Sequence, residues 1–455
     1  MEEALYESLV SLVETKQYKT LQMRLNEMAY PDIADFIMQL EDEKMRVTVF
    51  RVLSKDISAD VFAYLDSDSQ ETIVRMITDK EIERLMDELY VDDAVDFLEE
   101  VPANVVRRVL ANTDSETREI INRFLEYPDN SAGSVMTIEM VELHDRLTVG
   151  EAIKSIRRTG VDKETIYTCY VIDDKRHLVG TLPLRRLILN DEDVPLTEIM
   201  SDDEQLITVQ TLDDQEEVAS IAKKYDLLSV PVVDKEQRLV GIITIDDIVD
   251  IIDEEATEDF EKMALLRPSE DEYLKTNVFV LAKNRIVWLL ILMVSATFTG
   301  QIIEGFEAKL ATIAGLTACI PMLMDTGGNS GNQVSTLIIR GLALGEIQIK
   351  DYLRVLWKEI RVSVMVGVTL AAANALRMII LRHITHNPAT DSVILVVCLS
   401  VCAAVMVAKI IGCTLPIIAK LLRLDPALMA GPMITTMVDA VSLLIYFGFA
   451  NLLIH

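Results

Sequence analysis

The sequence predicts a multi-domain fold: a cytosolic all-α superhelical N-terminal domain, an α/β pair of repeated modules, and an α-helical membrane domain of five spans. Three observations predict it. Charge is divided along the chain: residues 1–275 hold 64 carboxylates against 30 Lys and Arg, and residues 276–455 hold 9 against 13. The acidic half carries two kinds of internal repeat, and the other half is mostly apolar. With 455 residues there is room for more than one domain, because single cores seldom grow past about 250–300 residues. The expected boundaries are 1–130 for an acidic helical solenoid, 131–253 for the tandem α/β modules, 254–280 for an acidic connecting helix and 281–455 for the transmembrane domain.

The solenoid rests on an imperfect repeat. Ala34-Asp35-Phe36-Ile37 followed by Leu40 is echoed by Ala59-Asp60-Val61-Phe62 followed by Leu65. Val49-Phe50-Arg51-Val52-Leu53 is echoed by Ile73-Val74-Arg75-Met76-Ile77 and Val105-Val106-Arg107-Arg108-Val109. Apolar residues at helical spacing, broken by Asp, Ser and Pro, imply stacked short helices. Asp92, Asp93 and Asp96 form an acidic edge, with 92 and 96 one turn apart on one helix face. The start, MEEALYESLV, lacks a basic segment followed by an apolar one, so no cleaved signal is expected and the N-terminal half is placed in the cytoplasm.

From about 136 to 252 the pattern becomes two halves of β-α-β-β-α type. Leu228-Ser229-Val230-Pro231-Val232-Val233-Asp234, with Leu239-Val240-Gly241-Ile242-Ile243-Thr244, is echoed by Tyr170-Val171-Ile172-Asp173-Asp174, with Leu178-Val179-Gly180-Thr181-Leu182. These units resemble a pair of CBS motifs, modules that pair into a Bateman unit and often bind adenine nucleotides. The nucleotide signature of that family, Gly-x-x-[Ser/Thr]-x-x-Asp, is kept at Gly241, Thr244 and Asp247. The first half instead has Pro183 and Arg186 at the hydroxyl and carboxylate positions. Thr244 and Asp247 are therefore the candidate nucleotide ligands, and ATP is left open as a cofactor.

Residues 246–261 hold nine carboxylates and no base. Asp247, Asp250 and Glu254 share one helical face; Glu255, Glu258 and Asp259 lie close to another. Like charges at these spacings weaken a helix unless something neutralises them. Oxygen-only, carboxylate-rich surroundings suit Mg²⁺, Ca²⁺ or Mn²⁺ over softer metals. Divalent ions bridging this run to the solenoid edge would couple cytosolic concentration to the membrane domain, whereas a solvated face is the plain alternative.

Apolar stretches near 286–303, 310–339, 362–381, 392–419 and 427–454 are long enough to cross a hydrocarbon core, which takes about 20 residues. Lys283 and Arg285, the group from Arg340 to Arg361, and Lys420 with Arg423 fall on one side, which places the N-terminus in the cytoplasm and the C-terminus outside. Lys309, Arg382 and two histidines fall on the other. The second span contains Pro321, Asp325 and the run Thr326-Gly327-Gly328-Asn329-Ser330-Gly331-Asn332-Gln333. We expect irregular backbone there, lining a hydrated cavity, the alternative being a small-residue packing surface. Gly328 and Asn332 become candidate pore-lining positions. Asp439 is the sole charge of the fifth span, and with Thr435 one turn earlier it offers oxygens to an ion. Structural pairing is the expected role of Lys409, with Asp439 as the partner to weigh.

Taken together, the chain resembles the MgtE-type magnesium channels along essentially its whole length. The most specific pieces are Gly327 to Gln333, Asp425-Pro426-Ala427-Leu428, and the Asp439 segment through Leu443-Leu444-Ile445-Tyr446. The resemblance implies a homodimer in the cell membrane, multi-pass, that passes Mg²⁺ inward. It implies that Asp439 holds hydrated Mg²⁺ beside Thr435. It also implies cytosolic metal ligands at Asp92 and Asp96, at Asp214, Glu216 and Asp226, and at Asp247, Asp250, Glu255, Glu258 and Asp259, where bound Mg²⁺ keeps the pore shut. The chain departs from the family at its first CBS signature and at Met324-Asp325.

A transporter of Co²⁺, Ni²⁺ or Mn²⁺ is the alternative in the same class, and a membrane-anchored nucleotide sensor is the alternative from another. An enzyme is not expected: no His-Glu-x-x-His, Gly-x-Ser-x-Gly or Walker pattern occurs, and the five histidines are scattered. No nucleic-acid partner is expected for a chain of net charge −30. The five cysteines form no Cys-x-x-Cys pair, so buried thiols are expected rather than disulfides or zinc.

Overall fold

The computed structural model describes residues 3–201, 206–268, 273–274, 276–306, 315–385, 390–429 and 431–454. Lys309 and the expected start of the second span, 310–314, lie outside them. The chain divides into two compact units, Met1–Asp253 and Glu254–His455.

The first unit opens with ten short helices: α1 (Glu3–Glu14), α2 (Tyr18–Leu25), α3 (Tyr30–Gln39), α4 (Glu43–Val52) and α5 (Lys55–Ala63). They continue as α6 (Ser67–Met76), α7 (Asp79–Glu88), α8 (Val91–Glu100), α9 (Ala103–Asn112) and α10 (Ser115–Phe124). Their brevity follows from closely spaced caps. Asp42, Asp66 and Asp114 accept hydrogen bonds from the first-turn amides of α4, α6 and α10, and Thr78 with Glu81 forms a capping box on α7. The repeat read from the sequence is a repeat of burial: Ala34, Phe36, Ile37 and Leu40 are buried, as are Ala59, Val61, Phe62 and Leu65. Phe62 meets Phe97 edge-on at 5.2 Å and Phe50 at 6.0 Å, which ties successive layers into one core. Two of the repeated arginines cap the end of α6, while Arg75 pairs with Glu71 and Arg107 donates to Ala103 O of its own helix. Arg51 donates to Met76 O, and Arg108 donates to Val74 O and Ile77 O, satisfying carbonyls that α6 cannot.

Two three-stranded sheets follow. Strand β1 (Val141–His144) lies parallel to β2 (Thr168–Ile172), which pairs antiparallel with β3 (Leu178–Pro183). Helices α11 (Val149–Thr159), α12 (Leu184–Leu189) and α13 (Leu196–Ile199) complete this half. The second half repeats it with β4 (Val209–Gln210), α14 (Gln215–Tyr225), β5 (Ser229–Val233) and β6 (Leu239–Thr244). Register agrees in detail: Val171 faces Gly180 as Val232 faces Gly241, and each hairpin shifts register one residue later. A side chain at Gly241 would meet Thr137 O at 2.7 Å, so glycine lets the segment at 137 pair with Ile242. The halves join through Tyr170 and Ser229, whose buried hydroxyls lie 2.6 Å apart.

The acidic run is helical, as α15 (Ile245–Met263), but its helix begins directly after β6 and stops well before 280. The Thr244 hydroxyl and the Asp247 carboxylate close its first turn, at 2.6 Å, which supplies an N-terminal stop that the charge pattern alone did not locate.

Among its described residues the second unit has five long helices: α16 (Val278–Gly305), α17 (Leu316–Ala343), α18 (Tyr352–Thr385), α19 (Asp391–Leu421) and α20 (Pro432–Leu453). Among the described residues, four segments are long and apolar enough to cross a membrane: Val278–Gly305, Ile349–Ile384, Asp391–Leu421 and Pro426–Leu453. Helix α17 has the length but not the apolarity, because polar residues recur along it. Its backbone corrects the expectation of an irregular segment. Residues Thr326 to Gln333 are helical throughout, and Pro321 also lies inside the helix. The glycines serve packing. A Cβ on Gly331 would meet Ile434 at 2.8 Å, one on Gly328 would meet Thr435 at 2.9 Å, and one on Gly327 would meet Ser442 at 2.8 Å. Gly412 of α19 approaches closest: its Cβ would fall 2.3 Å from Gly331 O. All five cysteines are free thiols.

Candidate functional site

In the first unit, Asp92 of α8, Glu164 from the segment before β2, and Asp247 of α15 bring carboxylate oxygens within 4.8 Å of one another. Asp92 is 7 % exposed, although it is an aspartate on a helix. Its Oδ1 accepts from the Asp93 amide, while Glu164 Oε2 is buried without a hydrogen-bond partner. Burial, with the charges of Glu164, Asp93 and Asp247, holds the Asp92 carboxyl well above the usual carboxylate range. Burial first and neighbouring carboxylates second push Asp93 to about 7 and Glu164 to about 7, and burial takes Asp247 to about 6.

The donor set fits a hard divalent cation. Two metal–oxygen bonds of about 2.0–2.6 Å bridge such a separation, the ligands are all oxygen, and the orphaned Glu164 Oε2 gains a partner. Asp92 and Asp247 were expected in this role. Glu164 was missed, because it stands alone in the sequence and only the fold carries it to the other two.

The remaining cytosolic candidates are spread out. Asp96 is exposed on α8, and Asp250 on α15. Asp214 caps α14 by accepting from the Glu216 amide, and Asp226, in left-handed conformation, ends the same helix. Eleven residues of helix hold Asp226 about 16 Å from Asp214 and Glu216, so these three do not converge within one chain. Thr244 is 4 % exposed and its hydroxyl is engaged by Asp246 and Asp247 at 2.5 and 2.6 Å. In the first half, Arg186 donates to Ile199 O at 2.8 Å.

In the second unit, the end of α15 meets the turn before α20. Lys262 Nζ lies 2.7 Å from Glu258 and 2.8 Å from Asp425. Burial works to lower the Lys262 pKa, but its hydrogen bonds to Asp425 and Glu258 outweigh this and hold it above the ordinary value. Asp259 is raised by burial and by the charge of Asp425, and Glu255 is half-buried on the same helix. Asp425 was quoted in the sequence only as part of a motif. Here its Oδ1 accepts from the Ala427 amide while its other oxygen faces Lys262.

The membrane helices carry a polar seam. Along α17, Asp325, Asn329, Gln333, Thr336 and Arg340 are exposed at spacings of three and four residues, which is one helix face. Asn332 reaches across to accept from the Gly431 amide at 3.0 Å, and the Thr435 hydroxyl donates to Gly431 O at 3.0 Å. Asp439 of α20 is half-buried and its Oδ1 is enclosed with no hydrogen-bond partner. Lys409 does not pair with it. Its ammonium sits 3.8 Å from Glu359 of α18 in a buried ion pair, so the expectation of a structural role stands with a different partner.

Comparison with known proteins bears on the whole chain. Residues 320–449 match the family described as divalent cation transporter, residues 28–130 the MgtE intracellular N domain, and residues 196–254 the CBS domain. The magnesium transporter MgtE of Thermus thermophilus is 34% identical over 459 residues, covering 100% of both chains. That of Bacillus subtilis is 31% identical over 447 residues, covering 98% of this chain and 97% of the relative. Among solved structures, the soluble part of a magnesium transporter superposes with TM-score 0.53 at 33% identity, covering 56% of this chain and 99% of that one. The cytosolic domain of the Mg²⁺ channel MgtE in complex with ATP gives 0.51 at 34% identity, covering 54% and 99%.

Proposed function

Because the chain belongs to the MgtE family of divalent cation transporters, we propose that it is a Mg²⁺-selective channel for magnesium uptake, shut by cytosolic Mg²⁺. The observation that carries the transport reading is Asp439. An enclosed carboxylate oxygen without a partner, within a membrane-length helix and beside the polar face of α17, is costly unless it serves a cation. A hydrated Mg²⁺ is the cargo in this reading, with Thr435 and Asn332 beside the path, while Gly328, expected there too, is buried against Thr435 and serves the packing of the two helices. Relatives named magnesium transporters along the whole chain support the choice of ion.

The gating reading rests on the Asp92, Glu164 and Asp247 cluster. These residues, with Asp93 and Asp250 nearby, would hold a regulatory Mg²⁺ that supplies the missing positive charge. Without Mg²⁺ the cluster can ionise only against burial and its neighbours' charges, which favours separation of α8 from α15. Asp96, Asp214, Glu216 and Asp226 would add further cation ligands in the first unit, and Glu255, Glu258 and Asp259, with Asp425, would do so in the second. The protein then acts as a homodimer in the cell membrane with its first unit in the cytosol. A relative's cytosolic domain binds ATP, and Thr244 and Asp247 are the positions that would take a nucleotide here, in competition with their own hydrogen bond.

The test is Mg²⁺ flux into liposomes reconstituted with the full chain. Flux is expected with the native protein and lost in Asp439→Ala, and raising Mg²⁺ on the cytosolic side is expected to suppress it. Uptake of Co²⁺ or Ni²⁺ in preference to Mg²⁺ would reassign the cargo, and undiminished flux in Asp439→Ala would remove that residue from the path.

A further inference from the structure

Asp325 has a carboxylate where a membrane helix has least use for one. It is exposed on α17, nine residues into a helix of 28, and an ionised side chain facing hydrocarbon costs at least about 2.5 kcal/mol on insertion scales. No cation is bonded to it among the described residues. Its Oδ1 accepts from Asn329 Nδ2 at 3.0 Å, one turn further along the same face. That bond fixes the direction of the carboxylate and leaves its second oxygen and its charge in place.

The packing register shows what Asp325 stands beside. Gly331 lies against Ile434, Gly328 against Thr435, and Gly327 against Val438 and Ser442. The two helices therefore run antiparallel, and continuing the register brings Asp325 level with the turn from Asp439 to Leu443. Asp325 is within electrostatic reach of Asp439. Two carboxylates of one chain thus stand at one depth, one enclosed with an unpartnered oxygen and one exposed and oriented by an amide.

We infer that Asp325 is a specificity-determining residue of the ion path, a second negative charge at the level of Asp439 that favours divalent over monovalent cations. The inference rests on the channel reading above and deepens it. Asp439 holds the ion in that reading. Asp325 need not touch it, since its field doubles the negative charge of each chain at that depth, and a divalent ion gains twice what a monovalent one does from the same field. Asn329 acts as a positioning residue for that charge.

The experiment compares reversal potentials of the full-length native protein, Asp325→Asn and Asp325→Glu in planar bilayers with Mg²⁺ on one side and Na⁺ on the other. Native protein without Mg²⁺ current would overturn the channel reading itself, a result distinct from any that concerns Asp325. Given native current, Asp325→Asn is expected to keep conducting but to lose preference for Mg²⁺ over Na⁺ by about five- to tenfold, and Asp325→Glu to restore it. Asp325→Asn with native selectivity overturns the inference. A second measurement, on Asp325→Cys already assembled in the bilayer, uses water-soluble methanethiosulfonates of opposite charge. The anionic reagent is expected to raise Mg²⁺ preference and the cationic one to abolish it. Failure of both to change the current would mean that the side chain faces lipid or protein, and would equally overturn the inference.

Discussion

Asp92 and Glu164 lose water on folding and meet each other's charge, so without a cation they keep protons that surface carboxylates release. The sign of the resulting pH dependence follows. Asp93, Glu164 and Asp247 have ordinary values of 3.8, 4.5 and 3.8 and folded values of about 7, 7 and 6, so the folded state binds more protons between those limits. Their contribution to stability is full below the ordinary values and is lost as pH rises through the folded ones. The metal-free full-length protein is therefore expected to melt at progressively lower temperature from about pH 5 to about pH 8, with Mg²⁺ restoring the loss at the upper end. Differential scanning calorimetry reads this directly, and a flat profile would contradict it. Glu164→Gln is expected to raise the metal-free melting temperature and weaken the response to Mg²⁺. A different outcome is expected at Lys409, which is 5 % exposed. Lys409→Met alone strands Glu359 as a buried charge and should cost about 3–5 kcal/mol. Adding Glu359→Leu should recover much of that in a thermal-shift assay in detergent. Neither partner choice was legible in the sequence. Glu164 and Glu359 are ordinary glutamates until the fold delivers them to Asp92 and to Lys409.

Among elements, what was legible tracks with local repetition. The short helices of the first unit announce themselves through Ala34 to Leu40 and its echo at Ala59 to Leu65, because each repeat buries the same positions. The paired hairpins are legible because Gly180 and Gly241 occupy equivalent register sites. Helix α17 was misread for a physical reason. Glycine, asparagine and proline discourage helices in water, but in a membrane an unbonded backbone costs more, and small residues gain close packing. Gly412 makes the point testable. Gly412→Ala would drive a methyl group to 2.3 Å from a backbone oxygen and should destabilise the membrane unit by more than the about 1–3 kcal/mol usual for overpacking. Gly448→Ala, which meets nothing within 4 Å, is the control and should match or exceed the native melting temperature. Equal effects of the two would show that the close approach of α17 and α19 is not maintained in the membrane.

For the whole molecule, the proposed gating predicts steep closure, because the free energies of ions bound to one shut state add while the equilibrium is shared. Neutralising Asp247, Asp250, Glu255, Glu258 and Asp259 together is expected to leave the channel open at millimolar Mg²⁺ in patch recordings, and normal closure would refute the sensor role. The order of parts was legible from charge and hydropathy, since an acidic half and an apolar half have different solvents. The site was half legible: Asp92, Asp247 and Asp439 stand out by density or isolation, whereas Asp425 becomes visible only once Lys262 reaches it. One last consequence belongs to Gly331, which is gripped at once by Ile434, by Ala408 O and by Gly412. Three helices cross there with no slack for a side chain. Bulk added at this crossing is therefore felt by all three helices at once.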